Sequence, residues 1–459
     1  MSDNFEKHFI IITFITSFFT VFLTTGVNIG SPAIASEFGM NNVLQNWIPT
    51  VLVFVTTIFT LPASQITGKY GFKKSLLVGQ AIVLFGIILT CISLSTEMFF
   101  SARILQGFGL AIAGVAEMAI IVLAIPEERR GRALGIVSSS VFLGISASPV
   151  ICGFLVQHFG WRSLFYITIF FNTIGLILML TKVKGEWKTN ENEKLDVKGM
   201  ALYMIGILLF IYGITILYDG RAIILVLLGL ILLAAFGFYE LRQKAPAFNV
   251  RLFKSHPFTL YNFSGLFMYV AVVALVTTFN YHFQIVKGLS PQTTGLIMLI
   301  GPVVMAITAP NAGKLSDKYH PQKIATIGMV LTVFAFVILS FMEKNTPLYI
   351  IIIAMVLQAI GMGLFASPNV NAIMSSIHKK FAANACASQL TMRSVGQTLS
   401  FGLLTLVFRF IMGSMDLTSS NYALIVESSQ IVCLISAIAC IIAIILSIAG
   451  LKLEKKISF

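Results

Sequence analysis

The feature that most constrains this chain is a series of fourteen long apolar runs separated by short polar loops. Because a bilayer core is about 30 Å thick, a helix needs about 20 apolar residues to cross it. The chain is 57% hydrophobic and 11% charged, whereas a soluble domain carries roughly 25% charged residues. We therefore predict an all-α integral membrane protein with fourteen transmembrane helices, at residues 9–33, 47–66, 75–96, 98–125, 132–157, 163–182, 199–218, 222–240, 258–283, 291–312, 323–342, 347–374, 384–412 and 427–451.

The lysines and arginines are distributed unevenly between the two sides of this predicted bundle. With the N-terminus inside, 24 of the 31 lie in cytoplasmic segments, four lie on the opposite side and three lie inside helices. Cationic loops are retained in the cytoplasm, so we expect a multi-pass plasma-membrane protein with both termini cytoplasmic. The net charge of +13 then reflects membrane orientation. No nucleic-acid partner is expected, since the cations form no continuous face.

Two sequence motifs recur at nearly the same spacing, which predicts an internal duplication. Ile66–Gly79 aligns with Leu315–Gly328 at an offset of 249, with Lys, Tyr, Lys and Gly matched, and Gln106–Gly109 has a counterpart at Gln358–Gly361. We predict six helices in residues 1–185, two additional helices in 186–256, and six more in 257–459, related by a pseudo-two-fold repeat. Repeats of this kind place a substrate site between the halves, near the membrane midplane.

Charged residues inside the predicted helices are candidates for function, because burying a charge in lipid is costly. Arg103 and Glu117 lie on the fourth helix and Arg393 lies on the thirteenth. The first two are 14 positions apart, which puts them within about 40° on one helix face but about 21 Å apart along the axis. Both are expected to face the bundle interior without pairing directly.

Glu117 is the candidate proton carrier, or alternatively the counter-ion of a cationic substrate. Desolvation favours the neutral form of a carboxyl group, so a modest change in its surroundings can load or release a proton. A purely structural pairing with a neighbouring helix is the competing interpretation. Arg393 is either a charge partner from the second half or a side chain that extends to the membrane interface.

Other polar and small residues are candidates for substrate contact or conformational gating. Small residues permit close helix contact and a proline interrupts the backbone hydrogen bonds, so the fifth helix is expected to be bent and tightly packed. The carboxylate of Asp317 either caps a helix or binds a neighbouring cation, and so stabilises one conformation, or it belongs to a solvated turn. The candidate substrate contacts are Asn28, Gln106, Gln284 and Arg393, and the candidate gating residues are Gly144, Ser148, Pro149, Gly153, Gly71, Lys74, Gly313, Asp317 and Lys318.

These motifs resemble those of the major facilitator superfamily, in particular its fourteen-helix drug:proton antiporter branch of the QacA and EmrB type. Arg103–Gly109 is similar to the fourth-helix motif of that family, whose arginine is implicated in proton transfer. Gly144–Gly153 resembles the antiporter signature of the fifth helix, with Ser148 before the proline where glycine is usual. Further similarity is found at Gly160–Arg162, Asp196–Gly199 and Arg251–Phe253.

The chain departs from the family pattern at two places. The loop between helices two and three has Gly68 and Lys69 where the family has aspartate and arginine. Because the second-half loop keeps Asp317, gating by a carboxylate is expected to have moved there. The acidic residue common in the first helix of drug exporters is replaced by Leu23, which leaves Glu117 as the main buried acid.

The resemblance implies a proton-coupled exporter of small, amphipathic or drug-like molecules that works by alternating access, without a cofactor and as a monomer. The alternative is an exporter of the same fold for a metabolite, lipid, amino acid or siderophore. A membrane-embedded enzyme or a sensor is a third class, but the sequence has no phosphate-binding loop and no nucleophile motif with a matching base. The five cysteines lack metal-ligand spacing and are expected to be free thiols, with no metal site.

Overall fold

The computed structural model describes residues 3–189, 194–217, 220–413 and 421–457. Residues 190–193 and 218–219, which belong to the predicted middle segment, lie outside this description. In the described residues, fourteen helices are long and apolar enough to cross a membrane, which confirms the predicted number.

We number these helices in chain order. Three of them are composite: α9 ends in a π-helical segment, α10 is interrupted near Leu299, and α13 begins with a 3₁₀ turn. The helices are α1 Asp3–Glu37, α2 Asn42–Tyr70, α3 Phe72–Cys91, α4 Thr96–Ala124, α5 Glu127–Phe159, α6 Arg162–Lys182, α7 Val197–Thr215, α8 Ala222–Glu240, α9 His256–Val286, α10 Pro291–Lys318, α11 Pro321–Ser340, α12 Leu348–Ser375, α13 Lys379–Met412 and α14 Tyr422–Ile457.

Several helices extend beyond the predicted apolar runs, because hydropathy detects only the part that lies in lipid. The helix α1 begins at Asp3 and α5 begins at Glu127, each about one turn or more before its apolar stretch. The third helix instead ends earlier than predicted, at Cys91. Ser95 caps the next helix by accepting a hydrogen bond from the backbone N–H of Met98 at 3.2 Å, so the residues between form a loop.

The helices pack as two groups of six, with α7 and α8 paired beside them. The first six pack mainly on one another, and the last six do the same. The groups meet along two main seams, one between α5 and α10 and one between α2 and α13. Since α7 also packs on α2 and α13, the additional pair covers the second of these seams.

Repeated glycines make equivalent helix contacts in the two halves. A Cβ atom on Gly79 of α3 would lie 2.9 Å from the carbonyl oxygen of Gly109 on α4, so these backbones are in direct contact. In the second half, a Cβ atom on Gly361 of α12 would lie 2.6 Å from the carbonyl oxygen of Gly328 on α11. These are the glycines that the duplicated motifs match, so the repeat in sequence corresponds to a repeat in packing.

The two ends of the bundle differ in charge. We call the end that carries Lys74, Arg132, Lys254 and Lys379 the cation-rich end. At the opposite end, Arg162 forms an ion pair with Glu37 at 2.7 Å and donates a hydrogen bond to the carbonyl oxygen of Cys91 at 2.9 Å. Trp161 also donates to Glu37, at 2.7 Å, so this cluster ties α1, α3 and α6 together. That the cation-rich end is cytoplasmic stays a prediction.

Candidate functional site

A cavity of about 230 Å³ lies in the middle of the bundle, between the two groups of six helices. Helices α1, α4 and α5 contribute one wall, and α9, α12 and α13 contribute the other. Most of its lining is apolar, including Phe142, Met118 and Met362. Its polar side chains are few and come from both halves: Ser17, Glu117, Ser138, Tyr269, Ser367, Gln389 and Arg393.

Glu117 is half-buried and lines this central cavity from α4. Its carboxylate accepts a hydrogen bond from the hydroxyl of Ser17 on α1, at 3.1 Å. Glu117 also lines a second cavity of about 160 Å³ inside the first half, together with Gln80 and Asn172. The carboxylate therefore lies between two cavities inside the bundle and does not face lipid.

Arg393 lines the central cavity from α13, on the side opposite Glu117. Its guanidinium carbon lies 5.5 Å from the ring centroid of Tyr269, within the range of a cation–π contact. Gln389, one turn earlier on α13, lines the same cavity. The Arg393 side chain therefore faces the cavity, and its role as a charge partner stays a prediction. The cavity thus contains one acid and one cation, contributed by different halves.

Arg103 lies elsewhere, in a fully buried network near the opposite end of α4. Its guanidinium donates to Gln106 at 2.8 Å, and Gln106 in turn donates to the carbonyl oxygen of Gly86 at 2.9 Å and to the hydroxyl of Thr90 at 2.7 Å. Among the described residues, Nε and Nη2 of Arg103 have no hydrogen-bond partner. Arg103 and Gln106 face the interior of the first half, and neither lines the central cavity.

A larger cavity of about 510 Å³ lies between the two halves towards the opposite end of the bundle. Asn28 lines it from α1, with Thr50 of α2, Thr215 of α7 and Thr405 of α13. Gln284 belongs to neither cavity between the halves, and its amide donates to Asn280 at 2.5 Å. The four candidate substrate contacts are therefore divided among different parts of the molecule.

At the cation-rich end, the two halves are joined tightly by α5 and α10. Asp317 accepts hydrogen bonds from the backbone N–H groups of Gly131 at 2.6 Å and Arg132 at 2.8 Å. Both donors lie near the N-terminus of α5, where the helix dipole favours a negative charge. Gly313 lies directly against Gly131, with no room for a side chain. This geometry matches the capping role that the sequence left open for Asp317.

Further contacts between the halves close this end. The hydroxyl of Ser139 on α5 donates to the carbonyl oxygen of Ala306 on α10 at 2.7 Å. A Cβ atom on Gly135 would lie 2.5 Å from the carbonyl oxygen of Ala309, so the two backbones touch there as well. Glu127 of α5 also pairs with Lys379 of α13 at 3.7 Å. The structure is therefore a conformation sealed at the cation-rich end.

Of the four candidate gating residues on α5, two make contacts within the first half. Gly144 and Ser148 of α5 face α1, where Ser148 donates to the carbonyl oxygen of Phe22 at 3.1 Å. A Cβ atom on Gly153 would meet no heavy atom within 4 Å, and Pro149 is exposed.

The first-half loop motif lies at the junction of α2 and α3, with Gly71 between the helices and Lys74 in the first turn of α3. Both contact a glutamate from the segment between α6 and α7. The carboxylate of Glu186 accepts from the backbone N–H groups of Lys73 at 2.9 Å and Lys74 at 3.0 Å. It also fills the space beside Gly71, whose φ of +103° favours glycine. The Lys318 side chain is exposed at the cation-rich end.

Sequence reasoning missed four residues of these sites. Ser17, Tyr269 and Gln389 are uncharged residues in apolar helices, and only a neighbouring charge in three dimensions distinguishes them. Glu186 acts on a loop 112 residues earlier in the chain, and no local pattern indicates that contact. The charged residues of these sites could be identified from the sequence, since charges are rare in membrane helices.

Comparison with known proteins agrees with this architecture. The family model of the Major Facilitator Superfamily matches residues 13–401. The riboflavin transporter RibZ of Clostridioides difficile is 28% identical over 443 residues, which cover 94% of this chain and 95% of that protein. The multidrug efflux pump LfrA of Mycolicibacterium smegmatis is 24% identical, over 82% of this chain and 76% of the pump. The multidrug resistance protein Stp of Mycobacterium tuberculosis is 24% identical over 82% of this chain and 71% of Stp.

Solved structures have the same fold at low sequence identity. The proton:xylose symporter XylE superposes with a TM-score of 0.69 at 12% identity, over 97% of this chain and 95% of that chain. The human organic anion transporter MFSD10 superposes with a TM-score of 0.62 at 11% identity, over 96% of this chain and 100% of that chain. The helix architecture, the duplicated motifs and the match along most of the sequence lead to one conclusion: this chain belongs to the major facilitator superfamily of membrane transporters.

Proposed function

We propose that this protein exports small amphipathic or drug-like molecules in exchange for protons, by alternating access. The observation that carries the proposal is the central cavity, in which Glu117 from the first half and Arg393 from the second face the same space. A site lined by both halves changes its access when the halves move against each other. The multidrug proteins among the relatives support a drug-like substrate.

Glu117 carries the exchanged proton in this mechanism. Among the described residues, its carboxylate has one hydrogen-bond donor, Ser17, and it lies at the boundary of two cavities that give a proton access. A proton bound from outside neutralises the acid, and binding of substrate from inside releases it again. Because proton and substrate alternate at one group, inward flow of protons drives outward flow of substrate. Arg103, with Gln106, lies on the side from which the proton enters.

The contact between α5 and α10 at the cation-rich end, which we call the seal, controls which side of the cavity is open. Asp317, Gly313 and Lys318 act at the contact with the N-terminus of α5, and this contact breaks in the inward-open state. The helix α5 also supplies Val137, Ser138 and Val141 to the wall of the central cavity. A substrate bound in the cavity can therefore shift α5 and weaken the seal. Gly144 and Ser148 adjust α5 against α1, and Pro149 and Gly153 allow α5 to bend. Gly71 and Lys74 hold the first-half loop during this motion. Asn28 and Gln284 contact the substrate on its way out.

A metabolite is the second candidate substrate, and the extent of one match favours it. The riboflavin transporter matches over nearly its whole length, 95%, whereas LfrA and Stp match over 76% and 71% of theirs. A flavin or a similar planar molecule with polar groups suits a cavity with aromatic, aliphatic and a few polar walls. For either substrate, we propose a monomer in the plasma membrane with cytoplasmic termini and no cofactor.

The test is transport by the full-length protein in proteoliposomes under an imposed pH gradient, with ethidium and riboflavin as probes. We expect gradient-dependent flux of at least one probe, and Glu117→Gln should reduce it to the level of protein-free liposomes. Glu97→Gln is the matched control, since Glu97 is exposed in the first turn of the same helix. Flux of riboflavin alone would favour the metabolite candidate. Flux of either probe that is unaffected by the gradient would contradict proton coupling.

A further inference from the structure

A groove of about 410 Å³ lies between α1 and α5 at the cation-rich end, separate from the cavities between the halves. Its outer rim carries three cations, Lys7, Arg129 and Arg132, and one acid, Glu6. Arg129 pairs with Glu6 at 3.1 Å. The side chains of Lys7 and Arg132 are exposed, and within the described part of the chain neither forms an ion pair. The carboxylate of Asp317 binds the backbone N–H of Arg132 and does not line the groove. The rim therefore has an excess of positive charge.

Below this rim, the groove is entirely apolar. Ile11, Phe14 and Ile15 line it from α1, and Ile136 lines it from α5. Ile11 is 46% exposed although it lies in a membrane helix. From Lys7 to Ile15 the helix rises about 12 Å, so the apolar part extends from the headgroup level well into the hydrocarbon region.

A cationic rim above an apolar groove is complementary to an anionic phospholipid, which has a charged headgroup and apolar acyl chains. Cations between transmembrane helices at the basic side of a membrane protein recognise anionic phospholipid headgroups. An acyl chain attached to such a headgroup would lie along the isoleucines and Phe14. A soluble anion would use the rim and leave the apolar part of the groove without a role.

We propose that the α1–α5 groove is a binding site for an anionic phospholipid. The phosphate is held by Lys7, Arg129 and Arg132, and one acyl chain packs on Ile11, Phe14 and Ile15. The site does not depend on the transported substrate, and it does not require the proposed exchange of protons.

The experiment is lipid retention by the purified full-length protein, measured by native mass spectrometry after titration with phosphatidylglycerol or phosphatidylcholine. We expect wild type to retain phosphatidylglycerol preferentially. The double variant Lys7→Gln/Arg132→Gln should lose about thirty-fold in affinity, which corresponds to about 2 kcal/mol for two cations near the headgroup. The variant Lys7→Arg/Arg132→Lys keeps both charges and should retain the lipid, which controls for folding.

Two further variants locate the site and identify its ligand. Lys254→Gln/Lys323→Gln removes two exposed cations from the same end, outside the groove, and should leave retention unchanged. Phe14→Ala/Ile11→Ala should lower phosphatidylglycerol retention through loss of acyl contacts. Equal retention by wild type and Lys7→Gln/Arg132→Gln would overturn the proposal. Complete displacement of the lipid by inorganic phosphate would also overturn it, because the rim would then be a site for a free anion.

Discussion

The two loop motifs related by the internal repeat differ in their contacts: one is bound within its own half of the molecule, and the other contacts the opposite half. In the first half, Glu186, from the segment just after the same six helices, accepts from the backbone N–H groups of Lys73 and Lys74 in the first turn of α3. In the second half, Asp317 at the end of α10 binds backbone N–H groups on α5, across the boundary between the halves. Both are carboxylates that bind backbone amides near a helix N-terminus, but only the second bond must break when the halves separate.

From this difference we expect the control of opening at the cation-rich end to be asymmetric. The first-half loop has Gly68 at the position that matches Asp317, so it has no side chain there to reach the other half. Glu186 stabilises that loop locally instead. The free energy of the sealed state therefore depends on the α5–α10 contact, and changes in the first-half loop should affect stability without changing conformation.

The largest effect is expected from a side chain inserted between α5 and α10. In Gly135→Val, the new Cβ atom would lie 2.5 Å from the carbonyl oxygen of Ala309 and 3.0 Å from Cα of Pro310, so the helices cannot keep their spacing. We expect complete loss of the sealed state, measured by double electron–electron resonance between spin labels on cysteines introduced at Glu128 and Lys314. The native cysteines are all buried, which favours selective labelling.

Gly301→Val is the matched control for that variant. Gly301 also lies on α10, but a Cβ atom there would meet no heavy atom within 4 Å. The label distance should remain that of the sealed state. An unchanged distance in Gly135→Val would contradict the view that close backbone contact is required for the seal.

An intermediate effect is expected from Asp317→Ala. The variant removes two hydrogen bonds to backbone N–H groups. At about 1 kcal/mol of net free energy each, their loss costs the sealed state about 2 kcal/mol. The population should shift about thirty-fold towards the open cation-rich end. The same spin-label pair measures this shift, and Asp317→Asn, which keeps one acceptor oxygen, should give a smaller one. A distance distribution identical to wild type in Asp317→Ala would refute the gating role.

The smallest effect is expected from Glu186→Ala in the first-half loop. Loss of a capping carboxylate typically costs about 1 kcal/mol of stability. We expect a slightly lower unfolding temperature, read by the fluorescence of the protein during heating, and no change in the label distance between α5 and α10. If Glu186→Ala instead opened the cation-rich end as much as Asp317→Ala does, the two loops would be equivalent and the asymmetry would be wrong.

Much of the fold could be predicted from sequence because its determinants are local. The length of each apolar run predicts a membrane helix, and the motif around Gly79 and Gly328 predicts the repeat that the helix packing then displays. Glu117 and Arg393 could be selected because charges in lipid are costly. That they face one cavity could not be predicted, since it depends on the rotation of α4 and α13 in the bundle.

The residues that contact the candidate residues could not be predicted from the sequence for the same reason. Ser17 becomes significant only because α1 brings its hydroxyl to Glu117, 100 positions away in the chain. Gly71 was predicted to act in gating, but its neighbour Glu186 belongs to a polar segment that has no helical pattern of its own. Long-range pairs of this kind are decided by tertiary packing, and a single sequence contains no direct signal for them.

Proton exchange at Glu117 is tested most directly by measuring proton release when substrate binds to the purified protein in weakly buffered detergent solution. The substrate is whichever compound shows gradient-driven flux in proteoliposomes. Wild type should release protons on binding, and Glu117→Gln should bind the compound without releasing any. Equal proton release by Glu117→Gln, or binding to wild type without any release, would contradict the claim that proton and substrate exchange at Glu117.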